Sequence, residues 1–458
     1  MKKAILIAAA ILSLAACGKK PAKEPGTDPA PSEAPETVGT PLSPWQEGQM
    51  DIHFINTTTG EAVFMIFPDG TQMLIDAAGS LVETGPINST SNTGIRQRWD
   101  PTKDPSFRAG KFIADYIGTC MKWTGNTTLD YVLNTHFHAD HFGGRDTSVP
   151  FSDLSSTYRK QSLPEVLDLL KVRKLMDRGW PDYNYPFDMR TKAANSTAVT
   201  NYVNAVQWHV ANRGLVAERF RAGSRDQIVL TRKPADYPAF SVQNIAVNGE
   251  IWDGPGKTTA TATFPPLSEI VVADPKNVGN DDKCPEENHC TCVLKVSYGA
   301  FDFFEGGDAQ YDGMSTFEWK DMETPVAIAA GQVDVMKADH HGVTNTNGYG
   351  FTSKVTGKKA EALKFLRPTC WVVNSWTDGH PREATYEGVT ELLPGTDIYI
   401  TNICDAMRSY DRFAQVKGFN GHIVVRVYDG GTKYRVFVLS DSDGKMTVKK
   451  MSKSYLSK

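Results

Sequence analysis

The sequence predicts a layered domain of the α/β or α+β class, on three observations. Apolar runs of strand length recur along the chain, helical patterns fall between them, and the chemistry-bearing residues stand where strands end. Composition allows such a domain: of 458 residues, 40% are hydrophobic and 22% charged, the make-up of a soluble folded chain. That length admits one large domain or two to three smaller ones. A formal net charge of −4 excludes a protein that coats nucleic acid by bulk positive charge.

The first 17 residues read as an address. Lys2 and Lys3 precede an apolar run over 4–14, shorter than the roughly 20 residues that span a bilayer. The run ends in Leu14-Ala15-Ala16-Cys17, which resembles the lipobox of bacterial lipoproteins. The resemblance implies cleavage before Cys17, its acylation, and a chain anchored in the bacterial cell envelope outside the cytoplasm, on the periplasmic or the surface face. Residues 18–44 are rich in proline and poor in large apolar side chains, so they are expected to form a tether reaching at most ~80 Å. The folded domain is expected over 45–458.

Within it, residues 51–56, 62–67 and 72–76 have strand character, with a Pro68-Asp69-Gly70 turn before the third and Asp76 at its end. Residues 107–122 have helical spacing. A buried strand over 129–134 then runs into His136-Phe137-His138-Ala139-Asp140-His141, four metal-ligating side chains in six positions in a chain with only ten histidines. Imidazole and carboxylate without cysteine suit zinc and similar ions in a catalytic site. Residues 164–177 and 196–211 read as helices of an insertion over 151–235, with Tyr183, Tyr185 and Trp208 serving packing or substrate stacking. Strands resume at 242, and 293–297 with 301–304 form a hairpin. Its end delivers Gly306-Gly307-Asp308, and residues 333–339 run into His340-His341-Gly342. Two metals need more donors than the first loop holds, and a carboxylate such as Asp308 can bridge them, with His341 completing the second site.

Six cysteines follow Cys17: Cys120, Cys284, Cys290, Cys292, Cys370 and Cys404. In an exported protein they point to disulfides, or around Cys284, His289, Cys290 and Cys292 to a small zinc knuckle.

The ordered set His136-x-His138-x-Asp140-His141, Gly307-Asp308, His340-His341-Gly342 resembles the metallo-β-lactamase superfamily. Within that superfamily the chain is most similar to the ComEC-type competence hydrolase domain, here as a free-standing lipoprotein, over residues 50–400. The Gly379-His380-Pro381 segment is part of the likeness. The resemblance implies an α+β fold, a four-layer αββα sandwich with a helical insertion. It also implies two divalent ions, zinc or alternatively manganese. His136 and His138 would bind the first ion, Asp140 and His141 the second, with Asp308 bridging and His341 completing the second. Asp140 and His340 would be catalytic, and Asp76 would orient the histidine loop. His289 and His380 are further candidates near the metals. Departures are the missing third histidine before the aspartate motif, Asn56 and Glu61 in the first hairpin, and Val343 where serine is usual. DNA uptake itself is not expected to carry over, since the sequence shows no membrane-channel segments.

Two cations lower the pKa of a bound water toward neutrality and stabilise developing negative charge. The expected substrate is a phosphodiester, small or nucleic acid, with a basic track at Arg96, Arg98, Lys103, Arg108 and Lys111. The alternatives are an acyl or lactam hydrolase and a non-catalytic binding lipoprotein.

Overall fold

The structure is a computed structural model that describes residues 36–79, 107–144, 148–279, 282–311, 315–343, 361–375 and 380–458. Arg96, Arg98, Lys103 and the lipidation candidate Cys17 lie outside these residues. From the start run β1 (Met50–Phe54), β2 (Val63–Ile66), β3 (Gln72–Ile75), α1 (Ala109–Thr124), β4 (Leu129–Asn134), α2 (Ala139–Phe142), α3 (Leu163–Leu169), β5 (Val172–Asp177), α4 (Ser196–Arg213) and β6 (Val216–Arg219). Next come β7 (Phe240–Val247), β8 (Glu250–Trp252), β9 (Ala260–Ala262), β10 (Val293–Tyr298), β11 (Phe301–Glu305), α5 (Glu323–Ala330), β12 (Val335–Lys337), α6 (Ala362–Leu366), β13 (Cys370–Val373), α7 (Glu383–Leu392), β14 (Asp397–Ile400) and β15 (Val416–Phe419). The chain closes with β16 (His422–Tyr428), β17 (Lys433–Leu439), β18 (Val448–Met451) and β19 (Tyr455–Leu456).

These strands make two mixed sheets. One has the order β18-β17-β16-β1-β2-β3-β4-β5-β6 with β19 on β17, the other β15-β14-β13-β12-β11-β10-β7-β8-β9. The two-residue period of a strand explains how both are buried on both faces. Val63 and Met65 of β2 enter one hydrophobic cluster with Val335 and Val372 of the second sheet. Phe64 and Ile66 enter another with Ile113 of α1, Val166 of α3 and Val203 of α4. On the second sheet Met336, Trp371 and Val373 face a third cluster with Val326 of α5, Leu363 of α6 and Val389 of α7. Charge enters the interior as a pair: Arg426 of β16 stands opposite Asp51 of β1 and grips it with bonds of 2.8 and 2.7 Å.

Several expectations change. Residues 36–44, assigned to the tether, pack on the domain: Gly39 N donates to Val448 O at 2.8 Å, Glu36 reaches Arg426, and Leu42 is buried. Leu42 is the apolar anchor that a proline count overlooks. The helix expected over 164–177 stops at Leu169, and β5 follows, paired in parallel with β4. The region around 151–235 therefore extends the first sheet by β5 and β6, with α3 and α4 on its helix-bearing face, and is not a purely helical insertion. Tyr183 is core, bonded to Asp177, and Trp208 packs on Tyr158 and His209. All six cysteines from Cys120 to Cys404 are free and buried, so the disulfide expectation fails. Among the described residues no helix is long and apolar enough to cross a membrane.

Candidate metal centre

The site forms where the C-terminal ends of β3, β4, β11 and β12 meet. β3 and β4 are parallel, with Ile75 abreast of Leu133, which puts Asp76 beside Thr135. Asp76 turns at φ 55°, and its carboxylate accepts from Thr135 N (2.7 Å), Thr135 Oγ1 (2.6 Å) and His141 Nδ1 (2.7 Å). That last bond leaves His141 Nε2 facing inward. In the second sheet β11 and β12 are parallel, so Asp308 and the His340-His341 turn emerge side by side. Cys292 N donates to Thr135 O at 2.9 Å and Glu61 N to Asp140 O at 2.8 Å, fastening the histidine loop to both neighbours.

Two donor groups result. Asp140, His141, Asp308 and His341 each offer an atom within 4.8 Å of the others, as do His136, His138 and Asp308. The six residues read from sequence as ligands are thus brought together, and Asp308 belongs to both groups. Its Oδ1 is 3.1 Å from His141 Nε2 and its Oδ2 3.6 Å from His136 Nε2. His341 donates Nδ1–H to the Asn374 carbonyl at 2.9 Å, turning Nε2 toward Asp140 Oδ2 at 3.2 Å. Both oxygens of buried Asp308 and Nε2 of buried His141 have no hydrogen-bond partner among the described residues. Buried polar atoms in that state are costly unless something else satisfies them. Four imidazoles and two carboxylates aimed at one space are the donor set that a pair of divalent ions fits.

Electrostatics agree. Burial opposes ionisation of Asp308, but the imidazoles of His141, His340, His341 and His136 outweigh it and hold the carboxyl well below its usual range. Asp140 is likewise held down against burial, chiefly by His341 and His141. Burial, with His141 alongside, pushes His136 well down, leaving a neutral ring with a free lone pair. His141 is raised despite burial by Asp308 and Asp76, and His341 by Asp308 and Asp140. Filling the site would displace those protons, so uptake should strengthen as pH rises.

The remaining candidates divide. His340 lies at the mouth, 24% exposed, with Nε2 3.7 Å from Asp308 Oδ2 and Asn288 Nδ2 at 3.3 Å. His289 stands apart from both donor groups: its Nδ1 accepts from Glu286 N, and its Nε2 lies 3.4 Å from Gln310 Nε2. It is a structural histidine of its loop, and among the described residues no cysteine joins a metal-donor group there. His380 is buried with its ring 6.4 Å from that of His341, a neighbour outside both groups. Of the expected basic track, Arg108 pairs with Glu165 at 2.5 Å and Lys111 with Asp115 at 2.6 Å.

Sequence reading missed what lies beneath. Lys337 is fully buried, donates to Gly307 O at 2.9 Å, and lies 3.3 Å from Glu61 and 3.4 Å from Glu305. Burial, with Glu61 close by, pushes Glu305 up to about 8 despite Lys337. The only signal was a charged residue closing each of two apolar strands.

No protein-family profile matches the chain, and no curated protein matches it. Among solved structures it is similar to a mutant of CmlA beta-hydroxylase, at 9% identity and a TM-score of 0.34, over 84% of this chain. The chain spans 55% of that protein's length. Likeness of this size carries no inference about activity.

Proposed function

We propose that the protein is a binuclear metal-dependent hydrolase of the metallo-β-lactamase type, acting on phosphodiesters. The three hydrophobic clusters, one between the sheets and one on each helix-bearing face, support the four-layer αββα reading. The observation that carries the function is Asp308, shared by two donor groups with both oxygens unsatisfied. His136 and His138 would hold one ion and Asp140, His141 and His341 the other, zinc by the imidazole-rich donor set, with manganese the alternative. Such ions supply an acidified water and neutralise charge on the reacting group.

The chain's own groups do the rest. Hydrolysis forms a P–O bond from water, breaks the P–O bond to the leaving alcohol, and passes one proton from the water to that alcohol. Asp140, kept ionised, accepts a hydrogen bond at the centre. His340, lowered by burial to about 4, is a neutral ring at pH 7 and donates one N–H toward an oxyanion at the mouth. Attachment to an envelope membrane through acylated Cys17 is part of the same proposal, and a Cys17→Ala chain recovered from the soluble fraction would support it.

The test is the full chain, loaded with zinc or manganese, assayed for bound metal and for cleavage of bis(p-nitrophenyl) phosphate beside a lactam. About two ions per chain are expected, with phosphodiester turnover that Asp140→Asn abolishes. Lactam turnover alone would favour the acyl reading, and metal without turnover a binding protein.

A further inference from the structure

A cleft of about 460 Å³ opens beside the centre, beginning at His138 and Asp140. One wall carries Pro186, Phe187 and Met189, the other Lys276, Asn277 and Glu287. Buried Arg178 clamps the two walls. It donates to Met189 Sδ at 2.7 Å and Tyr185 O at 3.0 Å on one side, and through Nε to Glu287 at 2.6 Å on the other. Glu287 in turn accepts from Phe137 N at 2.7 Å, between the two histidines of the metal loop. Walls tied to the loop in this way are set before a ligand arrives.

Size and charge choose the ligand. The volume falls in the range of small-molecule sites. A polyanion needs several cations along its path, yet among the described residues the cleft offers Lys276 as its one lysine or arginine side chain, beside Glu286, while Glu287 is taken by Arg178 and Asp140 belongs to the donor group. Arg108 and Lys111 are spent on Glu165 and Asp115. The apolar wall has a half-buried phenyl face, Phe187, on the same cleft as the donor groups. We propose that this cleft holds a small phosphodiester by stacking a planar ring, such as a nucleobase, against Phe187, and that it does not take a nucleic-acid polymer. The proposal rests on the hydrolase reading above for the identity of the phosphodiester.

Binding and turnover separate the two ideas. The metal-loaded full chain is titrated calorimetrically with a phosphorothioate-linked dinucleotide, a ringless dialkyl phosphodiester and a short DNA duplex, and cleavage of the natural dinucleotide is followed in parallel. The dinucleotide is expected to bind at least about tenfold more tightly than the duplex, for which the described residues of the cleft form no cationic track. Phe187→Leu, which keeps most of the packing volume, should weaken dinucleotide binding roughly three- to tenfold and leave the dialkyl compound unmoved. Duplex binding as tight as the dinucleotide's, an unchanged Phe187→Leu affinity, or no dinucleotide binding would each overturn the proposal. Binding with that pattern but without cleavage would uphold the cleft and reject the hydrolase reading.

Discussion

Asp76→Asn isolates the contribution of the carboxylate behind the metal loop. The two side chains have the same shape, and asparagine tolerates the φ of 55° at this position. One amide oxygen can still accept from Thr135 N. The other carboxylate oxygen, which now accepts from both Thr135 Oγ1 and His141 Nδ1, becomes an NH2 group. It points a donor at the N–H of the imidazole that Asp76 orients. Hydrogen bonds to a charged group contribute about 1.5–3 kcal/mol each, and partners of metal-bound histidines typically change metal affinity 10–100-fold, about 1.4–2.7 kcal/mol. The two ranges coincide, so the expectation is a loss of that size for the site containing His141. Chelator competition measures it, with circular dichroism checking that the fold is kept. Affinity within about twofold of the parent in a folded variant would refute the claim that Asp76 sets the ring's orientation.

Asp308→Asn removes a carboxylate common to both donor groups, and metal analysis should find at most one ion per chain, where retention of two would deny the bridge. Lys337→Met leaves Glu61 and Glu305 facing each other without their cation, and loss of one partner from a buried ion pair costs about 3–5 kcal/mol; an unchanged urea midpoint would contradict it. Burial works against an ionised Asp51, but Arg426 outweighs it and brings the carboxyl to about 2. A depressed carboxyl stabilises the fold above its ordinary pKa of 3.8 and loses that contribution as pH falls from there through 2. The loss is roughly 2 kcal/mol, and Arg426→Met should flatten this part of the stability–pH curve.

What was legible depended on how far apart the cooperating residues lie. His136, His138, Asp140 and His141 announce themselves because four ligating side chains follow one strand within six positions. Asp308 and His341 were legible by order, each one following an apolar strand. β5 was not: it follows α3 with only Leu170 and Lys171 between them, and Arg173 and Lys174 interrupt its apolar run. Parallel pairing with β4 overrides the local pattern. The cage of Lys337, Glu61 and Glu305 was hidden for a different reason. Its members come from three separate strand ends, and only the packing of the two sheets makes them neighbours. Likewise the cysteine pattern could not reveal that every thiol from Cys120 onward would be buried and free.

The geometry of the His340-His341 turn explains why the cage exists. Consecutive residues of an extended chain point to opposite sides, yet His340 and His341 both approach Asp308, at 3.7 and 3.9 Å. They do so because their backbones sit at φ 45° and 53°, followed by Gly342 at 75°. For a non-glycine residue each such conformation costs on the order of 1–3 kcal/mol. The turn is held by contacts on every side: His340 N and Lys337 Nζ both donate to Gly307 O, Arg382 N donates to Gly342 O, and His341 Nδ1 to Asn374 O. A Cβ on Gly342 would lie 2.6 Å from Pro381 Cβ, so the third residue has to be glycine on both counts. Lys337 therefore acts twice through one carbonyl: it fixes Gly307, and with it both Asp308 and the strained turn that brings two imidazoles to the same carboxylate.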